Sequence, residues 1–371
     1  MNTLNTRTKS IFKKSISLIM ATLFVLGAFT GCGKTETSST VPTTAKSTPT
    51  TEAVAPAPEE PVGIYVTGNY NPLTGEGNYS ADLLDARPIL MSVENHPDAR
   101  PQWGISSADV VWEMVAEGGI TRMLLMFSDV SRLPDKVGPT RSARHYFVSL
   151  AEGFDAIFVH FGWSPLAQEQ IQSHGVNNIN GLYDNYFYRD NSRNVATEHT
   201  AYTTRDAITK AIADKGFRTE IKDGYSNPLK FYSDVHSYSA GACTEFTVPF
   251  SNGYTYTLTY NETDKVYYSS LGSKPFMDDN GTQQSFTNVI MCYANVTSIA
   301  GDSKGRQDYD LSSGEGYVFS NGTYEKITWE KGDSADMMKF YGADGNELAL
   351  NVGRTYIALV PASNQSSTTI R

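Results

Sequence analysis

The sequence predicts an α/β (or α+β) N-terminal domain followed by a mostly antiparallel β C-terminal domain. Two observations carry that prediction. Up to about residue 225, short apolar runs alternate with helical stretches that carry their own start and stop residues, the pattern of helices layered on a sheet. Beyond Asn227-Pro228, turn signals recur at short, regular spacing and no helix longer than a turn or two is suggested, as in a sandwich or barrel. The divisions expected are 1–32 (export signal and lipid-attachment Cys), 33–79 (tether), 80–225 (α/β), 226–362 (β) and 363–371 (tail).

The first strand is Ile89-Leu90-Met91-Ser92-Val93, which stops at Glu94-Asn95-His96-Pro97, where proline cannot continue a ladder. Val110–Val115 and Thr121–Phe127 flank Glu117-Gly118-Gly119-Ile120 and read as a hairpin on a diglycine turn. A helix over 108–116, capped by Ser106, is the alternative. In Gly138-Pro139-Thr140-Arg141-Ser142-Ala143-Arg144-His145, Ser142 reads as the N-cap of a helix over 143–152, closed by Gly153. Asp155–His160 is a second buried strand. Ser164-Pro165 opens a helix that Gly175 closes. Thr203 and Asp206 read as a capping pair for the helix over 204–214, with Gly216 as its stop. The C-terminal strands fall on 248–250, 254–260, 266–269, 289–296, 317–329 (broken at Asn321-Gly322), 337–341, 348–351 and 355–360. Asp278-Asp279-Asn280-Gly281 is read as a turn, since it lacks the alternating ligands of a calcium loop.

At the start, Arg7, Lys9, Lys13 and Lys14 precede the apolar run 16–29, which is too short to cross a bilayer comfortably. Phe29-Thr30-Gly31-Cys32 looks like a bacterial lipobox, so Cys32 is the expected lipidation site and the membrane the expected partner; secretion with an incidental Cys is the bland alternative. The stretch 33–61 is Thr, Ser, Ala and Pro, which cannot bury enough surface to fold and is biased towards extended polyproline II. Over the whole chain 30 Lys+Arg stand against 40 Asp+Glu, an acidic balance that argues against a nucleic-acid partner. Cys243 and Cys292 could pair outside the cytoplasm; sequence leaves this open.

Arg141 and Arg144 fall at a helix start, where the backbone dipole disfavours cations and favours anions. Together with free N–H groups they would suit a bound anion; the plainer reading is pairing with internal Asp or Glu. If the strands ending at Glu94 and His160 are parallel neighbours, their tips share the edge where open α/β sheets bind ligands. That rule gathers Glu94, Asn95, His96, His160, Arg141 and Arg144; with Arg122 near the start of the hairpin's second strand, and His199 and Tyr202 ahead of the third helix, Asn95, His96, Arg122, Arg141, Arg144, His199 and Tyr202 are the candidate ligand-binding residues. Glu94 and His160 are the catalytic candidates. The aromatic loop 181–189 could stack on sugars, although such residues are more often hydrophobic anchors. Arg306 and Asp308 could border the pocket or simply face solvent. No metal and no cofactor are assigned: a set of Glu94, His96, His160 and His199 has no motif spacing behind it.

The words Ala86-Arg87-Pro88, Val93-Glu94-Asn95, Ala116-Glu117-Gly118-Gly119-Ile120-Thr121-Arg122, Gly138-Pro139-Thr140-Arg141-Ser142-Ala143-Arg144, Ile327-Thr328-Trp329 and Leu350-Asn351-Val352-Gly353 resemble the YerB-type lipoproteins of Gram-positive bacteria. The resemblance implies two domains on a lipid anchor at the outer face of the cytoplasmic membrane, and implies no activity. Relatives commonly show His-Asn where this chain has His199-Thr200.

There is no Gly-x-Ser-x-Gly elbow, P-loop, dinucleotide fingerprint or His-Glu-x-x-His. Two functions remain. The favoured one is non-catalytic binding of an anionic cell-wall ligand or an envelope protein through Arg122, Arg141 and Arg144. The alternative is a wall-acting hydrolase or transferase, with Glu94 or His160 as acid–base and the arginines stabilising negative charge.

Overall fold

Led by Pro88 and mostly apolar, Ile89–Glu94 (β1) forms a strand buried at every position, Ser92 and Glu94 included. In the computed structural model, which describes residues 64–227 and 229–371, it lies inside an eleven-stranded sheet. Val110–Val115 (β2) and Thr121–Phe127 (β3) form the expected hairpin, in register from Val110↔Met126 to Val115↔Thr121. Gly118 and Gly119 turn it at φ +64° and +76°, a left-handed conformation that costs glycine little. The strand reading of 110–115 therefore stands over the helical one. β1 pairs antiparallel with β3 and parallel with Ile157–His160 (β4), which in turn pairs parallel with Asn178–Asn180 (β5).

The helices are His145–Gly153 (α1), Pro165–His174 (α2) and Arg205–Lys215 (α3). For α2 the local signals act as expected: Ser164 Oγ accepts the Ala167 N–H, and Gly175 closes the helix at φ +66°. The other two caps differ by one to two residues from the sequence reading. Arg144 is still extended (φ −125°, ψ 153°), so α1 starts at His145 with no side-chain cap, and Ser142 instead donates to Phe161 O at 3.1 Å. In α3 the cap is Thr204, whose Oγ1 accepts the Ala207 N–H, while the buried Thr203 hydroxyl donates to Tyr186 O.

In the C-terminal region Glu245–Ser251 (β6), Tyr254–Asn261 (β7) and Val266–Leu271 (β8) form an antiparallel meander in a sheet of their own. Asn288–Ala294 (β9), Ser313–Ser320 (β10), Thr323–Glu330 (β11), Lys339–Tyr341 (β12) and Thr355–Pro361 (β13) join the main sheet, whose order is β12-β11-β10-β9-β13-β2-β3-β1-β4-β5, with the two-residue strand Gly241–Ala242 as the eleventh, paired to β11 off that path. β13 lies between β9 and β2, parallel to both. The sheet thus crosses the boundary expected near residue 225, and these strands do not close a separate sandwich or barrel. The reason is burial: β2 is covered on both faces and needs a partner on its second edge, which the apolar β13 supplies. After the Asp344-Gly345 turn, Ala349-Leu350 pairs with Lys230-Phe231 in parallel.

Residues 64–79, expected in the tether, are packed into the fold: Asn71, Leu73 and Thr74 are buried, and Asn71 Nδ2 donates to Asp109 Oδ1. The tail is also docked, with Ile370 bridging Phe246 and Arg371 paired to Glu245 at 2.8 Å. Cys243 and Cys292 are buried and free. The export signal, Cys32 and the tether up to residue 63 lie outside the described residues. Among the described residues no helix is long and apolar enough to cross a membrane.

Candidate functional site

The stretch 138–143 crosses the ends of β1 and β4 as extended chain, and this crossing builds the site. Glu94 N donates to Pro139 O, Arg141 N to Ser92 O, Phe161 N to Arg141 O and Ala143 N to Gly162 O. On its other side Thr140 N donates to Ala201 O, tying in residues 199–203. Gly138 permits the close approach: its φ is +152°, and a Cβ there would stand 2.7 Å from Ala201 O.

Two charge clusters result. In the first, Glu117 from the hairpin turn holds two arginines. Arg144 reaches Glu117 Oε1 at 2.5 Å and Arg122 reaches Oε2 at 3.5 Å, while Arg122 and Arg144 also donate to Ser142 O (2.7 and 3.3 Å) and Arg144 to Ala143 O (2.7 Å). Both guanidinium side chains are 8% exposed. Burial raises the Glu117 carboxyl, but the Arg144 hydrogen bond and the two positive charges outweigh it and hold it below its ordinary value. Burial, then the neighbouring Arg144, push the Arg122 guanidinium down. The expected anion grip of Arg122 and Arg144 is therefore taken up by an internal carboxylate, the plainer of the two readings.

The second cluster lies at the tip of β1. Glu94 Oε1 is 3.1 Å from Arg141 Nε, and Glu94 Oε2 pairs with His199 Nδ1 at 2.9 Å; the Glu94 and His199 side chains are each 6% exposed. Arg141 is more open, at 27%, and its other partner is Glu198, 3.3 Å away and 58% exposed. His96 stacks on His199 with centroids 4.5 Å apart, and Asp98 Oδ2 lies 3.7 Å from His96 Nδ1 and 4.0 Å from His199 Nε2. His96 owes its position to Pro97, which opens a short 3-10 turn whose Asp98 N–H donates to His96 Nδ1.

Of the sequence-derived candidates, Glu94, His96, Arg141 and His199 come together. The others do not join them. β1 and β4 are parallel neighbours as expected, but His160 is sealed within the protein. Its Nδ1 faces Gly162 O at 2.8 Å and its Nε2 faces Asn178 Oδ1 at 3.2 Å, and burial brings its pKa down to about 4. Nothing outside can reach either nitrogen, which removes it as an acid–base for an external substrate. Asn95 is fully buried: its Nδ2 lies within hydrogen-bond reach of Glu113, Thr121 and Tyr256, and its Oδ1 accepts from Arg100. Tyr202 packs against Trp103 and Tyr188. Asp308 meets His145 at the first residue of α1 (2.8 Å), whereas Arg306 pairs with Asp302. Asp278 is buried and accepts from the N–H groups of Gly104 and Ser106.

Sequence reasoning missed the residues that hold the site from below. Glu113 is fully buried in β2 and accepts from Thr121, Tyr256 and Tyr356 hydroxyls at 2.5, 3.0 and 2.7 Å. Burial raises its carboxyl pKa despite those donors, none of which is a cation. Tyr254 OH donates to Asn95 O, so β7 braces the residue next to Glu94. One signal was present: Glu113 is a lone acid in the apolar run Val-Val-Trp-Glu-Met-Val. Among the described residues, hollows lie elsewhere, one of ≈ 240 Å³ beside Tyr232, Asp234 and Asn351 and one of ≈ 370 Å³ beside Tyr293, Tyr317 and Lys326. The Glu94 corner lines neither: Glu94 and His199 are buried there beneath the more exposed Arg141, His96, Asp98 and Glu198.

A family model described as "Protein of unknown function (DUF3048) N-terminal domain" matches residues 73–218, and its C-terminal counterpart matches residues 246–357. The chain is 36% identical over 304 residues to "Putative lipoprotein YerB" of Bacillus subtilis (strain 168), covering 80% of this chain and 87% of that protein. The crystal structure of the Bacillus subtilis YerB protein superposes with a TM-score of 0.70 at 33% identity, over 82% of this chain and all of the other. With both halves matched and a relative of this similarity, the chain belongs to the DUF3048 family, to which its likeness to YerB also leads.

Proposed function

We propose that this protein is a lipid-anchored, non-catalytic binding protein on the outer face of the cytoplasmic membrane of a Gram-positive cell. In this reading Cys32 carries the lipid, and Arg141 at the tip of β1 takes an anionic group of an envelope ligand or partner protein. One observation carries it. Of the arginines expected to grip an anion, Arg141 alone combines partial exposure with a partner, Glu198, that is itself mostly in solvent. An exposed ion pair contributes about 0–1 kcal/mol, so a ligand carboxylate or phosphate can replace Glu198 at little cost. Glu94 then holds the guanidinium from the buried side. Arg122 and Arg144 would have to give up Glu117 and so belong to the frame.

Defined envelope fragments (stem peptides with free carboxylates, and phosphate-linked wall polymer) presented to the purified full chain test this. Arg141→Gln should lose at least one fragment that the parent retains, while Glu198→Gln should retain it or bind more tightly. Equal retention of every fragment by parent and Arg141→Gln would remove the proposal.

A catalytic reading keeps one supporting observation, the Glu94–His199 pair, which orients an imidazole as a general base requires. Glu94→Gln that abolishes turnover of a wall polymer while leaving its binding intact would favour that reading over simple binding.

A further inference from the structure

The geometry points to a divalent-metal site formed by His96, Asp98 and His199. The His96 and His199 rings and the Asp98 carboxylate each offer one donor atom, and the three atoms lie within 4.8 Å of one another. Zinc bonds to imidazole and carboxylate are about 2.0–2.2 Å long, which puts tetrahedral donors roughly 3.3 Å apart. The adjustment from 4.8 Å falls on His96 and Asp98, 32% and 56% exposed in their side chains: His96 must tilt off the His199 ring it stacks on and, where it ligates through Nδ1, give up the Asp98 N–H it accepts.

His199 is the fixed member, and its setting is the stronger argument. Its Nδ1 faces Glu94 Oε2 at 2.9 Å, a pairing that places the ring proton on Nδ1 and leaves the Nε2 lone pair towards Asp98. A carboxylate behind a ligating imidazole, setting its tautomer and raising its basicity, is the usual support of a protein-bound metal. Charge favours the same conclusion. Glu94, Asp98 and Glu198 surround the two imidazoles, and Arg141 offsets only one of these carboxylates. Glu198 Oε1, 3.7 Å from His199 Nε2, stands near enough to become a further ligand. Two imidazoles with one or two carboxylates suit Zn²⁺ and its neighbours in the first transition row better than Ca²⁺ or Mg²⁺, which prefer all-oxygen sets. The two histidines are far apart in sequence and share no motif, so only the folded chain brings them together. The inference does not depend on the anion reading, because metal uptake is measured without any envelope ligand.

Titration of the purified full chain with Co²⁺, followed by its visible absorption, and with Zn²⁺ by calorimetry, tests it. One equivalent should bind per chain. His96→Gln and Asp98→Asn, both at exposed positions, should keep the parent's melting temperature without metal and weaken binding by roughly tenfold or more. Glu94→Gln should weaken it roughly ten- to a hundredfold as the residue behind the ligand. His174→Gln, which alters a surface histidine paired with Glu152, should leave it unchanged. No saturable uptake would overturn the site, and so would equal affinity in the parent, His96→Gln and Asp98→Asn, or an equal loss in His174→Gln.

Discussion

The Glu117 cluster and the Glu94 cluster are built on the same short crossing, 138–143, and the Arg144 that follows it, yet they differ in kind. Around Glu117, two guanidinium groups at 8% exposure share one carboxylate and two main-chain carbonyls, so both cations are held by internal acceptors. Around Glu94, the buried carboxylate divides itself between a guanidinium at 27% exposure and an imidazole whose second nitrogen lies 3.7 and 4.0 Å from the exposed carboxylates of Glu198 and Asp98. The same residue types serve as frame in one place and as rim in the other. What separates them is whether a partner can be exchanged without leaving a charge buried and unpaired.

The sharpest way to break this contrast is to remove the central carboxylate of the closed cluster. Glu117→Ala leaves two buried arginines without their acid and should cost about 3–5 kcal/mol in chemical denaturation. A loss below about 1 kcal/mol would mean that the cluster is not closed. The next test uses the histidine at the end of β4. His160 is buried neutral, with a folded pKa of about 4 against 6.5 when unfolded. The unfolded chain therefore takes up the proton first, so the stability His160 contributes is complete above about pH 6.5 and is lost as pH falls towards about 4. At 1.36 kcal/mol per unit the whole effect is at most about 3 kcal/mol, and His160→Gln should flatten the stability profile across that window. An unchanged profile would show that His160 is not sealed. The smallest effect is expected at the rim: Glu198→Gln should change stability by less than about 1 kcal/mol, because its ion pair is exposed. A larger loss would place Glu198 in the frame.

Most local structure was legible from the chain because local rules govern it. The diglycine between two apolar runs is the hairpin turn, and Ser164 before Pro165 with Gly175 after the last helical turn bound α2. α1 starts about two residues later than the Ser142 cap signal implies, because the Ser142 hydroxyl finds its acceptor in Phe161 O. Longer-range choices were not legible. Nothing in Thr355–Pro361 says that it lies beside β2, some 240 residues earlier, in preference to another C-terminal strand. Likewise Asn71 and Leu73 fell within an assumed tether because a segment without periodicity gives no sign that it will dock. At the site, the strand-tip rule brought out Glu94, His96 and Arg141. It could not say that Arg144 would turn to Glu117, because that acid sits in a hairpin turn where an exposed side chain is the usual outcome. It also could not pair His199 with Glu94, since that contact exists only because residues 138–143 stitch Ala201 to the end of β1.

Arginine-selective dicarbonyl labelling of the full chain, read at each site by peptide mass spectrometry with and without envelope fragments, tests the central claim most directly. Arg141 should be modified fast and become protected when a bound fragment is added, while Arg122 and Arg144 stay unmodified throughout. Modification of Arg122 or Arg144 as fast as Arg141, or an Arg141 rate that no fragment alters, would contradict the assignment of the Glu94 corner as the working face of the protein.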